Sequence, residues 1–114
     1  MLNPSSTATL PLIRGSQPTD LILVHRAGQT HVKNDPQFRI PPLMEVALFY
    51  ESVSRAAGTF AGASVRAIAL NTVDLSPEEA QRFIAMVEEE TGLPVDDVVR
   101  SGGDKLLKAL LAAA

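Results

Sequence analysis

A three-layer α/β fold with a parallel sheet is predicted by three features of the 114-residue chain. Short apolar runs at 21–24 (LILV), 65–70 (VRAIAL) and 93–95 (LPV) alternate with three segments whose apolar residues recur at helical spacing. The first run is continuous rather than alternating, the pattern of a strand covered on both faces by helices. The order strand, helix, strand, helix, strand, helix is also the one that right-handed crossovers between parallel strands require.

Taken in order, residues 1–20 hold Pro4, Pro11 and Pro18 among Ser and Thr and read as an irregular lead-in. Asn3 and Pro4 could cap and open a short helix ending at Gly15, although an interior Pro11 would cost about 3 kcal/mol or force a kink. The domain proper is expected over 21–114. Its first strand lies near 20–25 and is expected to be buried on both faces. Residues 26–42 contain Gly28, Asn34, Asp35, Pro36, Pro41 and Pro42 and read as a long polar loop, a length that often signals function. Leu43, Val46, Ala47, Tyr50 and Val53 then line one face of a helix near 42–57, with Gly58 as its stop. The second strand is expected near 64–70.

Ser76-Pro77-Glu78-Glu79 is a strong helix start: Ser76 caps, Pro77 takes the first position and Glu79 completes a capping box. Ala80, Phe83, Ile84 and Val87 follow at i, i+3, i+4 and i+7, and Gly92 closes a helix near 76–91. A third strand near 94–98 opens at Pro94, a position where a strand tolerates proline. Leu106, Leu107, Leu110 and Leu111 mark a last helix near 103–113.

Composition narrows the function classes. The chain is 46% hydrophobic and 20% charged, as globular proteins are, and carries a net charge of −3. That charge argues against a nucleic-acid partner, whose binders usually carry a basic excess. With no cysteine and two histidines, no disulfide, thiolate nucleophile or resident metal is expected. No window approaches 18 uninterrupted apolar residues, and the start MLNPSSTATLPL lacks a charged leader region, so a cytoplasmic location with no membrane partner is expected.

In open parallel sheets ligands bind at the carboxyl ends of the strands. Three segments should reach that rim: His25-Arg26 with the loop through His31, Lys33 and Arg39; Asn71-Thr72; and residues 97–103 (DVVRSGG), which contain Arg100. Residues 14–39 carry a net +2 and residues 40–114 a net −5, so a small anionic ligand is expected at the basic part of the rim. Scattered charge on a solvated loop is the plainer alternative. His25 and His31 could act as general base and hydrogen-bond donor because imidazole titrates near neutral pH. The plainer reading makes His25 a strand-end residue and His31 an exposed one. Asn71 offers a donor and an acceptor together, which suits the edge of a heterocyclic base, or it merely makes the turn after its strand. The run Glu88-Glu89-Glu90 points in different directions around its helix and reads as a solvated face. Neither a G-x-x-x-x-G-K-[ST] nor a G-x-G-x-x-G phosphate cradle occurs in the chain.

Taken together, GSQPTDLILVHRAGQTHVKND with IPPLMEVALFYE, IALNT with LSPEEA, and EEETGLPVDDVVRSGGDKLLKAL resemble the C-terminal region of the DgcN-type D-glutamate N-acetyltransferases, a former domain-of-unknown-function family. The resemblance implies the later half of a P-loop NTPase-like domain similar to dethiobiotin synthetases. The implied activity of the complete protein is acetyl transfer from acetyl-CoA to the amino group of D-glutamate, with this fragment inactive alone. The alternatives are the base-binding half of a P-loop NTPase or ligase using ATP or another nucleotide, and a non-catalytic interaction fragment. By the same resemblance His25 and His31 are catalytic candidates and Arg26, Thr30 and Arg39 substrate-binding ones. Asn71, Thr72 and Arg100 are the candidates for binding a nucleotide base. The partners implied are the N-terminal half of the same protein and a homo-oligomeric copy, and an uncovered sheet edge with an apolar patch is expected.

Overall fold

The computed structural model describes residues 18–32, 35–55 and 62–112. The short helix expected between Asn3 and Gly15, and Lys33, lie outside them. The chain forms two compact units, one of Met1–Thr19 with Gln29–Ser64 and one of Asp20–Gly28 with Val65–Ala114.

In the first unit, the stretch read as a loop contains an antiparallel hairpin of β2 (His31–Val32) and β3 (Asp35–Arg39). His31 pairs with Arg39 and Val32 with Asp35, and the Ile40 amide donates to the Thr30 carbonyl at 2.8 Å. A two-residue strand leaves no periodicity to read. Pro36 in its partner lacks a ladder donor, which a two-stranded ribbon tolerates because one side of each strand is unpaired. Helix α1 (Leu43–Arg55) follows and buries Leu43, Val46, Ala47 and Ser54. Ser54 Oγ accepts from the Ala63 amide at 2.8 Å and donates to the Glu51 carbonyl at 2.6 Å, which satisfies a polar group at a buried position. Gly62 has φ +87°, and a Cβ there would clash with the Arg55 side chain, so both conformation and space select glycine.

The second unit is the α/β core. Its sheet has the order β1 (Asp20–Arg26), β4 (Ser64–Asn71), β5 (Val95–Asp96). Ile68 pairs with Val95 and Ala69 with Asp96 in parallel. β1 runs the same way beside β4: Arg66 meets Asp20 at 2.8 Å near its start, and the Ala27 amide donates to the Asn71 carbonyl at 2.9 Å past its end. Helix α2 (Pro77–Thr91) links β4 to β5, and after α3 (Val98–Ser101) the chain ends in α4 (Asp104–Ala112). The α/β class and parallel sheet are as expected.

α2 is bounded as its local sequence dictates. Ser76 Oγ accepts from the Glu79 amide, the Glu79 carboxylate accepts from the Ser76 amide, and Gly92 closes the helix at φ +69°. Ala80, Ile84 and Val87 form its buried stripe. With Ala67, Ile68, Leu70, Val95 and Leu106 they belong to the core of this unit. The expectation that β1 is buried on both faces is corrected. Its residues alternate between exposed and half-buried, with Ile22 38% and Val24 73% exposed, because among the described residues β1 is an edge strand of this sheet.

Candidate functional site

Parallel strands bring the ends of β1, β4 and β5 to one rim, which places Arg26, Asn71 and Asp96 at the same side of the sheet. An open cleft of about 470 Å³ lies there, within the size range of small-ligand sites. Val24, Val73, Val98 and Val99 give it apolar walls, and Asn71, Asp97 and Arg100 supply its polar groups. Exposed valines at the mouth, 92% for Val99 and 66% for Val73, are costly in water unless they meet a ligand or partner. A second cleft near Glu88, Leu93 and Lys105 lies by the start of β5, and the Lys105 ammonium there already donates to Glu88 and to the Val95 carbonyl.

The rim is organised by Asp97, a residue with no role assigned from sequence. Only 3% exposed, it receives the Thr72 amide at 2.9 Å and the Thr72 hydroxyl on Oδ2. Its other oxygen receives the amides of Val99 at 2.9 Å and Arg100 at 3.3 Å, capping α3. Burial, the largest single influence, pushes the Asp97 carboxyl upward. The bonds from Thr72, Arg100 and Val99 together outweigh it and hold the group below its ordinary value, so it is a carboxylate at neutral pH. Aspartate two residues before a backbone amide it caps is a readable signal, but its bond to Thr72 spans 25 residues and left none.

Thr72 is fully buried, with amide and hydroxyl both taken by Asp97, and it does not line the cleft. Arg100 donates through Nε to Thr72 Oγ1 at 2.8 Å and through a terminal nitrogen to the Thr72 carbonyl at 2.8 Å and to the Leu75 carbonyl. Both residues were expected to touch a base; Thr72 instead orders the loop, and Arg100 braces it while also lining the cleft. Asn71 is exposed at the cleft, and its Oδ1 accepts from the Val73 amide at 3.1 Å. It therefore makes the turn and faces the cleft at once.

His25 sits inside β1, half-buried, rather than after it, and burial lowers its pKa from the usual 6.5, leaving a neutral imidazole at pH 7. Consecutive strand residues point to opposite faces, so with Val24 on the cleft, His25 faces the other side of the sheet. The structure thus brings the backbones of His25 and Asn71 to one rim and separates their side chains. Arg26 is engaged by Asp74 at 2.7 Å in an exposed ion pair. Thr30, His31 and Arg39 belong to the hairpin of the first unit, with Thr30 and Arg39 exposed. Among the described residues no three His, Cys, Asp or Glu side chains are grouped to hold a metal ion, and no helix is long and apolar enough to cross a membrane.

The chain is similar to known proteins along almost its whole length. A model of the DUF1611 C-terminal P-loop domain, a domain of unknown function, matches residues 1–107. A D-glutamate N-acetyltransferase of Tritonibacter scottomollicae is 34% identical over 107 residues, which are 94% of this chain and 32% of that protein. The crystal structure of a DUF1611 family protein from Anabaena variabilis ATCC 29413 superposes with a TM-score of 0.95 at 56% identity, over 98% of this chain and 33% of that one. The chain spans about a third of the length of each of these relatives. It belongs to the DUF1611 family, within the C-terminal P-loop domain of that family.

Proposed function

We propose that this chain is the later part of the P-loop domain of a D-glutamate N-acetyltransferase, and that its rim cleft receives the adenine nucleotide end of acetyl-CoA. The observation that carries the reading is 34% identity over 94% of the chain to a protein of that name. The lining of the cleft supports this choice of group: valines suit the faces of a purine, and the Asn71 amide suits an edge where a base needs a polar partner. Acetyl-CoA would bring an activated thioester carbonyl. Asn71 would orient the base and Val73 and Val99 would exclude water from its faces. No phosphate cradle is present in this sequence, so the pyrophosphate would be held elsewhere in the complete protein.

Transfer to D-glutamate also needs a base for the substrate ammonium group. His25, neutral at pH 7 by burial, can accept that proton, and Arg26 can hold a carboxylate if it exchanges partners with Asp74. His31, Thr30 and Arg39 remain candidates from the hairpin. The test is steady-state kinetics of the full-length protein with acetyl-CoA and D-glutamate. Asn71→Ala should raise KM for acetyl-CoA and spare KM for D-glutamate, while His25→Ala should lower kcat. Absence of acetyl transfer in the full-length wild type overturns the reading. A nucleotide-using P-loop ligase or NTPase is the second reading, favoured by the P-loop family match, and ATP consumption in the same assay would support it.

A further inference from the structure

We infer that Asp97, Thr72 and Arg100 are positioning residues that lock the turn at 71–75 so that Asn71 offers the cleft a hydrogen-bond donor, selecting a heterocycle with a hydrogen-bond acceptor at that edge, which on an adenine is a bare ring nitrogen. The inference rests on the nucleotide-end reading above and adds which atom of Asn71 does the reading and what holds it. The amide orientation follows from chemistry. The Val73 N–H can only donate, so the atom it meets at 3.1 Å is the Asn71 carbonyl oxygen, and Nδ2 points the other way. Nδ2 donates to no group among the described residues, and Asn71 lines the cleft.

The turn that carries Asn71 is held from two sides. From just past the end of β5, Asp97 accepts both the amide and the hydroxyl proton of Thr72. From α3, the Arg100 guanidinium donates to the Thr72 hydroxyl and to the carbonyls of Thr72 and Leu75, while the Leu75 amide closes onto the Thr72 carbonyl at 2.9 Å. Directions are unambiguous because a carboxylate only accepts and a guanidinium only donates. Every polar group of Thr72 is engaged, at 0% exposure, so rotation of the turn would break several buried bonds together. The Asn71 carbonyl is tied in turn to the Ala27 amide of the strand alongside. What Asn71 then offers a ligand is a fixed donor, in a cleft that Val73 and Val99 line together with Asp97 and Arg100.

The test uses the full-length protein and calorimetric titration with adenosine 3′,5′-bisphosphate and its 1-deaza, 3-deaza and 7-deaza analogues. In the wild type, one analogue should bind about tenfold more weakly than the parent, the size of one hydrogen bond. That discrimination should vanish in Asn71→Ala, fall in Thr72→Val and in Arg100→Gln, and be restored in Thr72→Ser, which keeps the hydroxyl. Arg100→Gln alters a partly exposed side chain and keeps the test open should Thr72→Val fail to fold. A merely structural clamp would lower the melting temperature and leave the parent-to-analogue ratio unchanged, and that result overturns the inference. Equal affinity for all four probes in the wild type overturns it as well. If no probe binds the wild type, the nucleotide-end reading fails and the inference with it; binding with clamp-independent discrimination fails the inference alone.

Discussion

β1 and β4 lie side by side in one parallel sheet and are both rich in β-branched and aliphatic residues, yet they live in different surroundings. β4 buries Val65, Ala67, Ile68 and Leu70, two of them at 0% exposure, whereas no residue of β1 is fully buried and Val24 is 73% exposed. The difference is one of place in the sheet. Among the described residues β4 has a hydrogen-bonded strand on each side, while β1 has one neighbour. Apolar sequence therefore makes a strand, and neighbours decide whether it becomes a core.

Four measurements bear on that contrast. Ile68→Ala, at the centre of β4, should cost about 2–5 kcal/mol in urea unfolding, because a fully buried side chain leaves a cavity. A loss under 1 kcal/mol would show that β4 is not the rigid centre of the sheet. Directly beyond β4, Thr72→Val should cost about 2 kcal/mol, since it removes a donor from a buried carboxylate while keeping the side-chain volume.

His25, on β1, should show itself through pH. Its folded pKa is depressed, so the unfolded chain takes up the proton first. Stability should be unaffected by His25 above pH about 6.5 and should fall as pH drops from there to the folded pKa. His25→Gln should flatten that part of a melting-temperature profile, and an unchanged slope would mean the imidazole is as well solvated folded as unfolded. The smallest effect belongs to Val24→Thr, expected within about 0.5 kcal/mol because the position is exposed at the sheet edge. A cost comparable to that of Ile68→Ala would erase the distinction between the strands.

What could be read from the order of residues is what short-range physics controls. α2 begins at Pro77 and ends at Thr91 because the Ser76–Glu79 box and the left-handed Gly92 act within four residues of each end. The apolar runs placed β1 and β4 within a residue or so for the same reason, and the rim at Asn71 followed from the alternation of strands and helices. The hairpin of β2 and β3 was not legible, since two paired residues carry no period and a proline argues against a strand. Long-range contacts are what put β1 at the edge of the sheet among the described residues, turn His25 away from the cleft that Asn71 lines, and make Thr72 and Arg100 answer to Asp97. The bonds joining Thr72 to Asp97 and Arg100 span 25 and 28 residues, and a buried carboxylate finds its donors by proximity in space, which no local pattern encodes.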